Sequence, residues 1–191
     1  MDSFKADDYL SMPDFTGAEH IGDIGKNKII HKKYKDADLY AISVDDKPVS
    51  FIQTIDKNIL GVDYKEIQNV FTEKDFRGQN FCKNIIFFLR NVEKKMLMLG
   101  NVQSRLGQEL NKSLAKTGRF PMFWLNTLTG EKHPYDYKND FYDSKPYRSV
   151  GEPTGWQLII EVSKIDFLPR FIPKTIDEGK DWYFQYKKWF D

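Results

Sequence analysis

The chain is poor in the residues that carry covalent and metal chemistry. It has one cysteine, Cys82, in 191 residues, which excludes an intramolecular disulfide and any zinc site built on several thiolates. Its three histidines, His20, His31 and His133, are scattered and show no metal-ligand spacing, so no metal site is expected. No apolar run approaches the roughly 20 residues that a membrane helix needs. Residues 1–8 carry acids and no apolar centre, so no secretory signal is expected. An excess of one charge sign is also missing. Lys plus Arg is 29 and Asp plus Glu is 28, a formal net charge of +1. That balance does not advertise nucleic acid or an anionic membrane, although a local basic patch stays open. These absences together suggest a cytoplasmic protein with no membrane partner.

What is present is core material. The chain is 40% hydrophobic and 15% aromatic, enough for a folded domain rather than a disordered one. Residues 1–30 are weakly patterned, with Gly17, Gly22 and Gly25 marking loops. From residue 38 the pattern sharpens. Residues 39–44 and 49–55 are strand-like and flank the turn residues Asp45, Asp46, Lys47 and Pro48, which predicts an antiparallel hairpin. A third strand is expected over 64–72. Its side-chain period of two slips near Asn69–Val70, through either a β-bulge or burial of both faces at the strand end.

A helix is expected over 83–95. Phe81, Ile85, Phe88, Leu89 and Val92 fall at helical spacing, and Ile86 and Phe87 widen the apolar stripe. Residues 96–99 form a short buried strand. A second helix follows, with Ser104 as N-cap, Leu106, Leu110 and Leu114 on one face, and Gly118 as its stop. Strands are expected over 120–125 and 156–162. The stretch 127–155 reads as a long loop or insertion, and 181–190 as a helix rich in aromatics, including Trp182, Tyr186, Trp189 and Phe190. The run from Glu66 to Leu99 is a βαβ unit, so its two strands should be parallel. The division suggested is a core over 1–126, with its motif region at 64–125, and an aromatic-rich extension over 127–191 packed on that core.

The stretch between the third strand and the first helix is the most informative. Strand, polar turn with Arg77-Gly78, and helix start make a cradle for a phosphate. A helix N-terminus exposes free N–H groups and a positive dipole end, and glycine admits close approach to the backbone. The bland alternative is an ordinary loop with a surface arginine.

This layout resembles the GCN5-related N-acetyltransferases (GNAT). The resemblance covers roughly residues 38–125. Arg77 and Gly78 match the start of that family's acetyl-coenzyme A signature. Asn80 stands where the family has glycine, and Cys82 where it has glycine or alanine. Val70-Phe71-Thr72 matches the hydrophobic lead-in, without its proline. Asparagine tolerates left-handed backbone best among non-glycine residues, which makes Asn80 a fitting substitute.

The resemblance implies a three-layer α/β/α fold with a mixed, centrally splayed sheet. It implies acetyl-coenzyme A, or another acyl-coenzyme A, bound by Val70, Phe71, Thr72, Arg77, Gly78, Gln79, Asn80, Phe81, Cys82 and Lys83. It also implies transfer of the acetyl group by direct attack of an amine on the thioester, the amine belonging to a small molecule or a protein. Glu66 is the candidate base on the bulged strand, because Gln68, at the more usual spacing, cannot accept a proton at neutral pH. No tyrosine lies between residues 96 and 120 to serve as the acid that many family members carry. Two other readings stay open. One is a binding protein of the same fold with weak or no catalysis, docking through its aromatic C-terminal region. The other is a nucleobase-modifying member. His133 reads either as a base or as a loop residue, and the tyrosines and aspartates of 135–147 either as acceptor-site groups or as solvated loop.

Overall fold

Strands joined by tight turns dominate residues 19–72. In a computed structural model that describes residues 11–100, 105–139 and 155–162, they form a meander of β1 (Glu19–Ile24), β2 (Asn27–Tyr34), β3 (Ala37–Val44), β4 (Lys47–Ile59) and β5 (Val62–Thr72). Asp45 and Asp46 both adopt positive φ (49° and 62°), as do Leu60 and Gly61 (52° and 80°), the backbone that two-residue hairpin turns require. The chain continues through α1 (Phe81–Asn91), β6 (Met96–Leu99), α2 (Arg105–Lys116), β7 (Met122–Asn126), β8 (Lys132–Pro134) and β9 (Trp156–Ile160). The nine strands of the described residues join one sheet in the order β1-β2-β3-β4-β5-β6-β9-β7-β8. Every neighbouring pair is antiparallel except β5–β6, so the sheet is mixed. Among the described residues, no helix is long and apolar enough to cross a membrane.

The expected βαβ unit is present. β5 and β6 pair in parallel from Tyr64↔Met96 to Ile67↔Leu99 and no further. The expected slip in β5 is a bulge one residue earlier than its sequence position suggested. Thr54 pairs with Ile67 and Gln53 with Asn69, which leaves Gln68 as the extra residue. The bulge exchanges the faces of β5. Ile67 and Val70 both join the helix-side core, whereas Phe71 packs on the other side. β5 therefore parts from β6 just as its own side chains change sides, and the sheet is splayed at its centre.

Both helices lie on one face. Ile85, Phe88 and Leu89 of α1 and Leu114 of α2 share a core with Ile52, Ile67, Leu97 and Leu99. The reason is topological. The crossovers β5-α1-β6 and β6-α2-β7 advance in the same direction across the sheet, and right-handed connections then place both helices on the same side. The α/β mixed-sheet expectation stands. Of the three expected layers, the described residues supply two. The second face carries Phe15, Leu39, Ala41 and Phe51 in one cluster and Tyr64, Met98, Leu125 and Ile159 in another.

Three differences from the sequence reading have physical causes. First, residues 19–34 form two strands, not loop. Gly22 lies inside β1 because a Cβ there would meet Phe88 Cε2 at 2.5 Å, so this glycine marks close packing rather than a turn. Second, α1 spans Phe81–Asn91 rather than 83–95, because Lys94 turns left-handed (φ 53°) and its neighbour's N–H reaches back, Lys95 to the Leu89 carbonyl at 2.9 Å. No glycine announced that stop. Third, the segment taken for a loop contains β8, and β9 is inserted between β6 and β7. The boundary drawn at 126/127 thus falls within the sheet. Residues 163–191, with their tryptophans and the helix expected there, lie outside the described residues, as do Ser104, Asp140, Asp143 and Tyr147.

A charged cluster ties the β2–β5 end of the helix-side face together. Asp38, almost fully buried, accepts from His31 Nε2 at 2.8 Å, Lys33 Nζ at 3.3 Å and Lys65 Nζ at 2.5 Å, and Lys65 also pairs with Asp56 at 2.6 Å. Burial works against ionisation of Asp38 and is the largest single influence, but the Lys65, His31 and Lys33 donors outweigh it together and hold the carboxyl at about 2, below its usual 3.8. A depressed carboxyl contributes stability that is present above its unfolded pKa and lost as pH falls through the folded value. Acid unfolding should therefore steepen between pH 3.8 and about 2, and Asp38→Asn should flatten that segment of a stability-against-pH curve.

The apex of the splay rests on Gly100, where a Cβ would stand 2.9 Å from the Ile67 carbonyl oxygen. Gly100→Ala should cost about 1–3 kcal/mol in urea unfolding, the usual penalty for forcing atoms into a closed contact.

Candidate functional site

β5 ends against β4, where the Glu73 N–H donates to the Val49 carbonyl at 2.9 Å. One 3-10 turn (Lys74–Phe76) follows, and Arg77 is extended. Gly78 then takes φ 80° and Asn80 φ 62°. Asn80 is the N-cap of α1, yet its side chain makes no capping bond. The first intrahelical bond runs from the Asn84 N–H to the Asn80 carbonyl at 2.9 Å. The amides of Phe81, Cys82 and Lys83 come before that bond and have no carbonyl four residues back within the helix. Left-handed residues interleaved with the helix start turn successive N–H groups into a concave nest. The helix dipole adds positive potential there. The asparagine expected to replace a glycine does adopt the left-handed backbone that the replacement requires.

Side chains around the turn are held from behind. Arg77 Nε donates to the Thr72 carbonyl at 3.2 Å, which anchors its stem to the end of β5. Cys82 Sγ lies 3.1 Å from Thr72 Oγ1 and 3.3 Å from Ser50 Oγ. Ser50 Oγ in turn donates to the Phe71 carbonyl at 3.0 Å. This half-buried cluster ties the helix start to β4 and β5. The thiol has the structural setting expected of a small residue at a helix start. None of the three histidines serves it: His20 contacts Asp23, His31 contacts Asp38 and His133 contacts Glu131.

A cleft of about 390 Å³ opens between this turn and α2. Arg77, Gly78, Asn80 and Lys83 form one wall, and Leu106, Glu109, Leu110 and Ser113 form the other. Leu106, one of the three leucines expected along one helix face, is 73% exposed, whereas Leu114 is fully buried. The face that packs on the sheet therefore begins at Leu110, and Leu106 is left as an apolar wall of the cleft. Beside it, residues 69–72 of β5 have a ladder partner in β4 only, among the described residues. Val70 faces the helix-side core, and Phe71 packs on Phe51 with ring centroids 5.9 Å apart. Nest, cleft and one-sided strand thus meet at the carboxyl end of the parallel pair, the end at which open α/β sheets bind ligands.

Glu66 is placed differently. It precedes the bulge, is 6% exposed, and pairs with Lys57 Nζ at 2.9 Å. Its side chain shares the parity of Tyr64, which packs on the face away from the helices. Gln68, the bulged residue, is exposed. A second cavity, of about 530 Å³, lies at the other end of β5 beside Lys57, Lys65 and Lys95. Lys65 is already paired with Asp38 and Asp56, and Lys57 with Glu66, so despite its size this cavity offers fewer free donors than the cleft at the turn. Among the described residues, no group of three or more His, Cys, Asp or Glu side chains is arranged to hold a metal.

No family model and no curated protein matches the sequence. Solved structures do. A ribosomal-protein-alanine N-acetyltransferase from Brucella melitensis biovar Abortus 2308 is 21% identical over 43% of this chain and 64% of its own, with a TM-score of 0.37. A GNAT-family protein from Bacteroides thetaiotaomicron is 12% identical over 79% of this chain and 72% of its own, with a TM-score of 0.37. A GNAT-family acetyltransferase from Elizabethkingia anophelis with acetyl-CoA bound is 16% identical over 67% of this chain and 77% of its own, with a TM-score of 0.35. The chain spans less than two thirds of the Brucella enzyme. These overlaps are partial.

The left-handed cap has a direct test. Asn80→Gly should leave stability nearly unchanged, whereas Asn80→Val should cost about 1–2 kcal/mol, the penalty of left-handed backbone for a residue with a Cβ. Urea unfolding of the two variants measures the difference.

Proposed function

We propose that the chain is a GCN5-related N-acetyltransferase that moves an acetyl group from acetyl-coenzyme A to an amine. The observation that carries this reading is the left-handed Gly78–Asn80 turn at the start of α1, opening on a cleft beside a strand paired on one side only. A pyrophosphate needs several convergent N–H donors and little negative charge nearby. The amides of residues 78–83, with Arg77 and Lys83, provide that set. The unpaired side of residues 69–72 offers backbone groups along which an extended amide-bearing arm can lie. The donor set therefore fits the coenzyme.

When bound, acetyl-coenzyme A supplies an activated acyl group with a leaving thiolate. The chain's own residues hold and orient. Arg77, Lys83 and the amides of the nest fix the phosphate end, and a backbone N–H near Val70 or Phe71 polarises the acyl carbonyl. Proton removal from the attacking amine falls to Glu66 in this reading, acting through a water, with Lys57 fixing its carboxylate. Direct attack needs no covalent intermediate on the enzyme, so the tied-back Cys82 has no part in the chemistry. The acceptor is an amine of a small molecule or of a protein.

The same observations support a second reading, a coenzyme-binding protein with little catalysis. Glu66 is buried against Lys57, and α2 carries no tyrosine. Calorimetry with acetyl-coenzyme A comes first. Binding in the micromolar range is expected, with a loss of about tenfold in Arg77→Ala, as for removal of one charge-assisted phosphate contact. Absence of binding at high micromolar coenzyme would sink both readings. Binding without thiol release across a panel of amines would leave the second.

A further inference from the structure

The second face of the sheet is buried at a place where no described layer lies over it. Tyr64, Met98, Leu125 and Ile159 cluster there with Ile59, Met96 and Phe123. All seven stand on the adjoining strands β4, β5, β6, β9 and β7. Met98 and Ile159 are nevertheless fully buried, and Tyr64 and Leu125 are each 3% exposed. Side chains stand out from a pleated sheet, and strands about 4.8 Å apart cannot hide one another's tips. A second layer has to cover them. Both α-helices of the described residues pack on the opposite face. Met12, Phe15 and Ala18 pack only with Leu39, Ala41 and Phe51, at the β3–β4 end. Glu66 shares the covered face and is also almost fully buried.

The path of the described chain points to the segment that covers it. Residues 1–10 lead into Met12 and Phe15, at the other end of the face. The chain reaches residue 140 from Tyr135 and Tyr137 and resumes at Trp156, and all three pack in the helix-side core. β9 ends differently. Just past it, the Val162 N–H donates to Met96 Sδ at 3.2 Å, and Met96 belongs to the second-face cluster. The backbone at residue 162 thus stands at the margin of the covered face. The sequence then continues with Phe167, Phe171, Trp182, Phe184, Trp189 and Phe190. We propose that residues 163–191 dock on the β5-β6-β9-β7 part of the second face, as the third layer of the fold, and shield Glu66 from solvent. An aromatic segment and an apolar face both gain by leaving water together. In the acetyl-transfer reading, the amine that gives its proton to Glu66 passes beside this segment; that consequence rests on the reading, whereas the docking itself does not.

The test is photo-crosslinking in the full chain, with p-benzoylphenylalanine in place of Phe123 and, separately, of Tyr64. Phe123 is only partly buried in the cluster, so the larger ring fits there without rebuilding the core. The same group in place of Leu106, which is exposed on the helix side, serves as the control. Mass spectrometry of the digested products identifies the joined peptides. The expected result is products joined to peptides of 163–191 from the two cluster positions, and loss of those products from the control position. Absence of such products from both cluster positions would overturn the docking, whether the label joins residues 1–10, residues 140–154 or a second copy of the chain. Equal yield from position 106 would overturn it too, because the segment would then have no preferred face. Coenzyme binding is measured separately by calorimetry, so the acyl-coenzyme A reading can fail while the docking stands, and the reverse.

Discussion

The parallel ladder between β5 and β6 runs only from Tyr64↔Met96 to Ile67↔Leu99, and the upper half of the molecule depends on its ending there. Gln68 bulges at that point. A bulge adds a residue to one strand, bends it and increases its twist, so β5 swings away from β6 while staying paired with β4. Below the bulge the two strands act as one buried surface beneath α1. Above it, β5 carries an open backbone edge towards the N-terminus of α1. Gly100 sits at the apex, where the Ile67 carbonyl leaves no room for a side chain.

The turn that follows β5 needs both neighbours. Glu73 is tied to β4, Arg77 to the end of β5, and Cys82 to Ser50 and Thr72. These bonds consume the outward polarity of the strand ends and leave the amides at the start of α1 free. The result is a site with donors on one wall and a carboxylate on the other. Charge elsewhere on the sheet is handled differently. Lys65 pairs with Asp38 and Asp56, and Lys57 with Glu66, so most of the charge at the sheet's lower end is already matched. Its large cavity therefore has less to offer a ligand.

Much of this was legible in the residues. The hairpin of β3 and β4, the βαβ unit, the stripe of α1 and the left-handed asparagine follow from local rules of period, turn chemistry and backbone tolerance. The bulge showed as a broken alternation near Asn69, one residue beyond its actual place. β1 and β2 were hidden by Gly22, because a glycine that makes room for Phe88 looks in sequence like one that makes a turn. Leu106 misled in the other direction. Its spacing matches Leu110 and Leu114, but spacing cannot say where along a helix the sheet begins to cover it.

The sequence by itself determined the β3–β4 hairpin, the parallel crossover and the left-handed turn that starts α1, because these depend on contacts between residues close along the chain. Tertiary structure alone decided that β9 enters between β6 and β7, that both helices share a face, and that Glu66 points away from that face into a pair with Lys57. It also brought Glu109 of α2 to the wall opposite Arg77 and Lys83. Each of these depends on residues far apart in the chain, whose meeting is set by sheet order and the handedness of the crossovers rather than by any local pattern.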